Sequence, residues 1–348
     1  MKLYMAGGEG SILRDAVLKH TGPGFKVNVL ESYWAHKYKS DDYLDRLHKF
    51  YCDAKATGKY ENIMLDSGAH SIIFAYTGAK KTMHLMKEIK DIDKYMKDYL
   101  RFVRRMADVV DFFFEVDSAP FTFSYDEQQR WRDEFFKITN PNRDQFLPVW
   151  HVRYGKNQRE TMTQHLKDYS YIGIPKEADL PWSDNRFASY FELVAQHKCT
   201  LHGLALTGYS KFRNFPFRSA DSTSWSFNAR TKKLFCFDQE TEVAHTVDLG
   251  VRRDATKRNL RAMNPKLAEP VHTYAQYLIK KYELDVKHDL FWLGEESSPS
   301  GVCAIELGLL NICTYLEMQE KVNRVGHKFD GKKKQGELFD FIHHEGHK

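Results

Sequence analysis

Ile63-Met64-Leu65-Asp66-Ser67-Gly68 is a short apolar run that ends in an acid, followed by two residues typical of turns. Such a run predicts a buried β-strand that ends at the aspartate. The pattern recurs at 112–118, which contains Asp117, and at 219–225, which contains Asp221. A single aspartate in this position is commonly a cap for a turn or a helix. Three favour convergence, because the carboxyl ends of parallel strands share one face of a barrel.

Strand and helix patterns alternate through the first two thirds of the chain. Strand-like runs occur at 2–6, 26–30, 62–65, 111–116, 146–152, 171–174, 201–206 and 217–220. Apolar residues at helical spacing predict helices at 41–56, 89–107, 126–137, 158–169 and 184–198. This alternation predicts an α/β fold, a (β/α)8 TIM barrel in preference to a doubly wound sheet. No Gly-x-Gly-x-x-Gly segment opens a helix after a strand, which disfavours a dinucleotide cofactor.

The pattern changes after Trp225. Two strand-like runs predict a β-hairpin, and helical spacing then returns twice. The hairpin runs are 232–237 and 243–249, and the helical stretches are 270–282 and 303–321. We expect a barrel domain over 1–249 that includes the hairpin 232–249, and a helical, basic C-terminal extension over 250–348 packed on the barrel.

Composition limits the classes of function. The 348 residues are 42% hydrophobic, enough for a sizeable core, and a formal charge of +5 permits a polyanionic partner without requiring one. No apolar stretch is long enough to cross a bilayer and the first residues lack a signal-peptide pattern, so no membrane association is expected. The five cysteines are scattered without a Cys-x-x-Cys pair, which predicts reduced thiols in a cytoplasm.

Five ordered segments between residues 60 and 226 resemble those of the tRNA-guanine transglycosylases. Leu65-Asp66-Ser67-Gly68 is similar to their Asp-Ser-Gly-Gly signature, and Phe114-Glu115-Val116-Asp117 is similar to their base-binding aspartate strand. Pro148-Val149-Trp150-His151 stands where that family carries a glutamine-bearing strand. The segment 202–208 resembles their Gly-Leu-Ala-Val-Gly strand, and 219–225 lies where their nucleophilic aspartate ends the last barrel strand.

The departures from that family point to one branch of it. Its structural zinc cluster is missing, since Cys236, Cys303 and Cys313 lack the required spacing, and Ala69 replaces the second glycine of the signature. These features look more like the DNA 7-deazaguanine transglycosylases of bacteria and their viruses. Those enzymes exchange guanine in DNA for a 7-deazaguanine base such as preQ0. The resemblance implies DNA as partner, a host cytoplasm if the protein is viral, and no metal or cofactor; the missing zinc region is compatible with a monomer.

The resemblance also implies roles for individual residues. Asp221 is expected to be the nucleophile that forms a glycosyl–enzyme bond, and Asp66 the general acid and base for the departing and incoming bases. Asp117 is expected to accept hydrogen bonds from the guanine edge. The remaining predicted substrate-binding residues are Ser67, Gly68, His151, Leu206, Thr207 and Gly208.

A target nucleotide must be flipped out of a duplex or presented in a single strand, with its phosphates held by Lys and Arg. The first candidates are Arg213 and Arg218, which flank the last barrel strand. The others are Arg230, Lys232, Lys233, Arg252, Arg253, Lys257 and Arg258. Each of these clusters also has an alternative interpretation as an ordinary solvated face.

Three alternatives to DNA base exchange remain. The same fold and chemistry can act on tRNA. A catalytically silent barrel that binds nucleic acid or a purine is a second alternative, although a binder has no need of a nucleophile. A metal-dependent barrel hydrolase is disfavoured, because no His-x-His strand end or similar ligand cluster is present.

Overall fold

The computed structural model of the protein describes residues 1–7, 11–69, 92–116, 125–138, 145–151, 158–175, 184–206, 208–249, 265–286 and 302–329. Six of the residues predicted to form the site or to bind nucleic acid lie outside these ranges. They are Asp117, Thr207, Arg252, Arg253, Lys257 and Arg258.

Eight parallel strands form one sheet in the order β5-β4-β3-β2-β1-β8-β7-β6. The strands are β1 (Lys2–Ala6), β2 (Val27–Ser32), β3 (Tyr60–Asp66), β4 (Phe112–Phe114), β5 (Phe146–Leu147), β6 (Tyr171–Pro175), β7 (Thr200–Leu204) and β8 (Ser219–Ser222). The two ends of the sheet meet where Gly173 N donates to Pro148 O at 2.8 Å and Trp150 N donates to Gly173 O at 2.9 Å. The predicted (β/α)8 TIM barrel is therefore confirmed.

Helices surround the sheet. Those between strands are α1 (Ser11–Lys19), α2 (Asp41–Ala56), α3 (Ile92–Met106), α4 (Tyr125–Ile138), α5 (Gln158–Asp168), α6 (Asp184–His197) and α7 (Tyr209–Asn214). After the barrel come α8 (Ser224–Arg230), the hairpin β9 (Lys233–Asp238) and β10 (Val243–Asp248), and then α9 (Pro265–Lys281) and α10 (Val302–Val325). The hairpin was predicted. Helix α9, however, begins at Pro265 and continues through Pro270, the residue predicted to start it. Either proline suits a first turn, where a missing N–H costs nothing.

Alternation along each strand separates two apolar cores. Inward-facing side chains fill the barrel, and the larger outer core lies between the strands and the helices. The inner core consists of Tyr4, Ala6, Leu30, Met64, Phe114, Leu147, Val149 and Tyr171. Residues two apart on a strand face the same side, so Asp66 faces inward with Met64. Asp221 likewise faces inward with Ser219, whose hydroxyl contacts the inner-core residue Tyr171.

Helix α10 packs against the barrel beside β1 and β8. Tyr315 lies with its hydroxyl 3.2 Å from the Ser222 hydroxyl, and Gln319 accepts from Leu3 N at 2.6 Å. The amino group of Met1 donates to Asn323 at 2.7 Å. These contacts tie the last described helix to the first strand, while the predicted division of the chain at residue 249 stays a prediction. No helix in the described ranges is long and apolar enough to span a membrane.

A buried ion pair holds the chain just beyond β4. The Glu115 carboxylate accepts from Arg132 Nε at 2.7 Å and Nη2 at 2.8 Å, and from Val149 N at 2.5 Å. Burial opposes ionisation of Glu115, but the Arg132 guanidinium outweighs it and lowers the pKa of Glu115 below its usual value. The pair therefore links α4, the end of β4 and the segment after β5.

Removing the cation of this pair tests its contribution. Arg132→Met is expected to reduce the free energy of unfolding by about 3–5 kcal/mol, because it leaves a buried carboxylate without its counter-ion. The double variant Glu115→Gln/Arg132→Met is expected to regain much of that loss, since a glutamine oxygen still accepts from Val149 N. Urea unfolding measures both, and equal losses in the two variants would contradict the ion-pair assignment.

Candidate active site

Asp66 ends β3 at the mouth of the barrel. One oxygen, Oδ2, accepts from the Ser32 hydroxyl at 2.9 Å and from Gly68 N at 3.0 Å. Ser32 is the register partner of Asp66 on β2. The side chain is half-buried, so it is accessible from the mouth while its orientation is restrained. A carboxylate held in this way is suited to proton transfer with a ligand in the barrel.

Asp221 lies deeper, in β8, and is 8% exposed. Its Oδ2 lies 3.0 Å from His202 Nε2, and its Oδ1 accepts from Ala205 N at 3.2 Å. Ala205 directly follows β7 and adopts a positive φ of 53°, unusual for a residue other than glycine. This turn aims the Ala205 N–H at the carboxylate. Both oxygens of Asp221 are therefore within hydrogen-bond distance of groups on β7 or directly after it, an imidazole and a backbone N–H.

The strand registers place the two aspartates at neighbouring levels of the barrel interior. Asp221 shares its level with Leu30, Phe114 and Gly173. Asp66 is one level nearer the mouth, with Ala6, Val149 and Leu204. Such levels arise because residues from alternate strands of a closed barrel lie at the same height. The structure thus brings together Asp66 and Asp221, which 154 intervening residues separate in the chain.

A chain of buried polar side chains continues downward from Asp221. His202 Nδ1 lies 2.5 Å from Ser219 Oγ, and the Tyr171 hydroxyl hydrogen-bonds Ser219 Oγ. None of these three residues was predicted to belong to the site. Two features of the sequence could have indicated them. Ser219 and Asp221 are alternate residues of one strand and so face the same side, and His202 is a polar residue within an apolar run.

Ser67 and Gly68 shape the loop that follows Asp66. Ser67 is buried, and its carbonyl accepts from the Tyr95 hydroxyl at 2.6 Å. Gly68 has φ +79°, and a Cβ placed on it would lie 2.7 Å from the Cβ of Trp34. Ser67 is thus held in the loop by a hydrogen bond to its carbonyl, and glycine is required at 68 by both conformation and space.

The other predicted substrate-binding residues occupy different places. His151 follows β5 and is buried; Val149 faces the interior and Trp150 the outer core, so alternation turns His151 back inward. Leu206 is buried in the outer core, and Gly208 is exposed at the start of α7. The Ala205 N–H, which was not predicted to belong to the site, donates to Asp221 Oδ1 at 3.2 Å.

The predicted nucleic-acid residues are scattered over the barrel. Arg218 precedes β8, so it lies at the amino ends of the strands, opposite the mouth on which it was expected, and its guanidinium stacks 4.5 Å from the Tyr171 ring centre. Arg213 donates to Glu242 at 3.3 Å and to Gly326 O at 2.8 Å. Arg230 ends α8, and Lys232 and Lys233 begin the hairpin. Arg213 and Arg218 are thus engaged within the protein, and Arg230 Nε donates to Ser226 O at 3.4 Å.

Among the described residues, no group of three or more His, Cys, Asp or Glu side chains is placed to hold a metal ion. The two aspartates are on different strands and are hydrogen-bonded to protein donors.

The chain was compared with protein-family models and with curated proteins. No family model matches it, and no curated protein matches it. The resemblance to base-exchange enzymes therefore stays a prediction from the ordered sequence motifs.

Substitution at Gly68 tests the fit of the loop against Trp34. Gly68→Ala is expected to lower the free energy of unfolding by more than about 2 kcal/mol, from the unfavourable positive φ together with the clash. Gly58→Ala is the matched control, because Gly58 has φ +72° with open space around it, and it should cost only about 1 kcal/mol. Chemical denaturation measures both; equal costs would show that the Trp34 contact is unimportant.

Proposed function

We propose that this protein is a base-exchange transglycosylase that replaces guanine in DNA with a 7-deazaguanine base such as preQ0. The observation that carries the proposal is the pair Asp66 and Asp221, which lie at neighbouring levels of one barrel interior and differ in burial and in hydrogen-bond partners. Two carboxylates in unlike environments are suited to two roles, one as proton carrier and one as nucleophile.

The reaction is a double displacement at C1′ of the target nucleotide. An Asp221 oxygen bonds to C1′ as the C1′–N9 bond to guanine breaks, and Asp66 supplies the proton that the departing guanine takes. In the second step N9 of the incoming base attacks C1′, the Asp221 carboxylate leaves, and Asp66 accepts the N9 proton. Two inversions retain the anomeric configuration and consume no cofactor.

The buried position of Asp221 agrees with attack from inside the barrel. Aromatic and aliphatic side chains at its level exclude water, so a glycosyl–enzyme bond is protected from hydrolysis until the second base arrives. The acid and base role suits Asp66, because it is nearer the mouth and more exposed, where bases enter and leave. Asp117, outside the described residues, remains the proposed reader of the guanine edge.

A basic and aromatic cluster beside Asp66 supports a polynucleotide substrate. Directly after β2, the Lys37 ammonium lies 3.0 Å from the Trp34 ring centre and 4.8 Å from that of Tyr38. Tyr38 is 73% exposed, unusual for a large aromatic side chain. Trp34 contacts the Gly68 loop, so this mouth cluster (Trp34, Lys37 and Tyr38) adjoins the proposed acid. An exposed aromatic ring with a lysine is a common platform for a stacked base and its phosphate.

Base exchange can be measured by incorporation of radiolabelled guanine or preQ0, with DNA and tRNA as parallel acceptors. Wild-type protein is expected to label DNA. Asp221→Asn should abolish labelling, because an amide cannot act as the nucleophile. Asp66→Asn should slow it by about 10²–10⁴-fold, the usual contribution of general acid and base catalysis, with DNA binding unchanged.

Asp168→Asn serves as the control, since Asp168 ends α5 and is exposed. Labelling of tRNA alone would support the proposed mechanism but show that the substrate is tRNA and not DNA. No labelling of either acceptor, or full activity in Asp221→Asn, would refute the proposed reaction and favour a binding barrel.

Substitutions in the mouth cluster are expected to change the affinity for DNA and its dependence on salt. Tyr38→Ala should weaken binding of single-stranded DNA by about 1–3 kcal/mol through loss of stacking. Lys37→Gln should reduce the slope of log affinity against log salt by about 0.7, one phosphate contact. Lys167→Gln, at the other end of the barrel on α5, is the control. Unchanged affinity and salt slope in both mouth variants would place the DNA elsewhere.

A further inference from the structure

His202 links Asp221 to the bottom of the barrel and has no exposed surface. Its Nε2 lies 3.0 Å from Asp221 Oδ2, and its Nδ1 lies 2.5 Å from Ser219 Oγ. The Tyr171 hydroxyl contacts Ser219 Oγ and is 3.4 Å from the same Nδ1. Four side chains from three neighbouring strands therefore form one continuous hydrogen-bonded chain inside the barrel.

The direction of these hydrogen bonds follows from the chemistry of each group. An ionised carboxylate only accepts, so the hydrogen between His202 and Asp221 belongs to Nε2. Burial raises the pKa of Tyr171 well above its usual value, so its hydroxyl keeps its proton and can donate. With the Tyr171 hydrogen donated to Ser219 Oγ, the Ser219 hydroxyl donates to Nδ1, from which it lies 2.5 Å. Donors run from Tyr171 through Ser219 and His202 to Asp221, and they select the tautomer with hydrogen on Nε2.

Aromatic neighbours hold the imidazole in this orientation. The Phe114 ring meets it edge-on with 5.0 Å between ring centres, and the Tyr4 ring is at 6.2 Å. Both belong to the inner core, so the hydrogen bond to Asp221 forms in surroundings of low polarity, where it is stronger than in water.

We propose that His202 is the positioning residue for the Asp221 nucleophile, and that Ser219 and Tyr171 set its tautomer; the proposal rests on the proposed base exchange. The Nε2–H orients the carboxylate and stabilises the negative charge that Asp221 carries before the first step. Asp221 loses that charge when its oxygen bonds to C1′ and regains it when the incoming N9 displaces it. His202 therefore assists the second step, in which the carboxylate is the leaving group.

This role has a kinetic signature that a purely structural role lacks. Without the Nε2–H donor the carboxylate becomes a poorer leaving group, so the glycosyl–enzyme bond should persist. His202→Phe is expected to slow base exchange by about 10- to 100-fold, the usual worth of a hydrogen bond to a charged group. A covalent DNA–protein adduct should accumulate on denaturing gels. His202→Gln, whose amide N–H can reach Asp221, should restore turnover and remove the adduct.

The control is His48→Gln, because His48 is partly exposed on α2, where it pairs with Asp108 at 2.8 Å, and is remote from the barrel interior. It should leave turnover and adduct levels unchanged. Equal slowing in His202→Phe and His202→Gln without an adduct would overturn the proposal, as would unchanged turnover in His202→Phe.

A measurement that needs no catalysis separates this proposal from the proposed function. Nitrogen-15 NMR of histidine-labelled wild type should show His202 as the Nε2–H tautomer, with its resonances assigned by their loss in His202→Gln. Asp221→Asn should shift the Nε2–H resonance. An Nδ1–H tautomer, or no shift, would overturn the pairing whatever the enzyme activity. The expected NMR result together with no base incorporation by wild type would support the pairing and refute base exchange.

Discussion

The register of the eight parallel strands is the constraint on which the site depends. Successive residues of a strand face opposite sides, so a slip of one residue would move Asp66 and Asp221 from the barrel interior into the outer core. The register is secured where the sheet closes, by the hydrogen bonds that join Pro148 and Trp150 to Gly173. It is also supported outside the barrel by the Glu115–Arg132 pair, which holds Val149 beside β4.

The buried carboxylates of Glu115 and Asp221 have different hydrogen-bond donors around them. Glu115 faces a guanidinium in a two-point ion pair, which satisfies its charge and leaves it structural. Asp221 receives its described hydrogen bonds from an imidazole and a backbone N–H. Donors without a full positive charge orient a carboxylate but neutralise it less than an arginine does. This difference is the reason that Asp221, and not Glu115, is the proposed nucleophile.

The fold was largely predictable from the sequence. Each predicted barrel strand overlaps an observed one, and the helices at 41–56 and 184–198 match α2 and α6 within a residue. These elements follow local periodicity, which a single sequence displays directly. The start of α9 was misplaced, because Pro265 and Pro270 both suit a helix start and local pattern does not choose between them. The candidate site was predicted in part: both aspartates stand at recognisable strand ends, whereas His202, Ser219 and Tyr171 were not singled out, because their pairing depends on three strands lying side by side.

The sequence by itself determined the alternation of strands and helices, the barrel, and the candidate carboxylates, because each is encoded in a short window of apolar and polar residues. Only the tertiary structure decided what surrounds those carboxylates. Closure of the barrel brings Tyr171, His202 and Ser219 together from three strands, and places Trp34 and Lys37 beside the Asp66 loop. These relations depend on strand register and barrel closure, which are set by packing among segments that are distant in the chain.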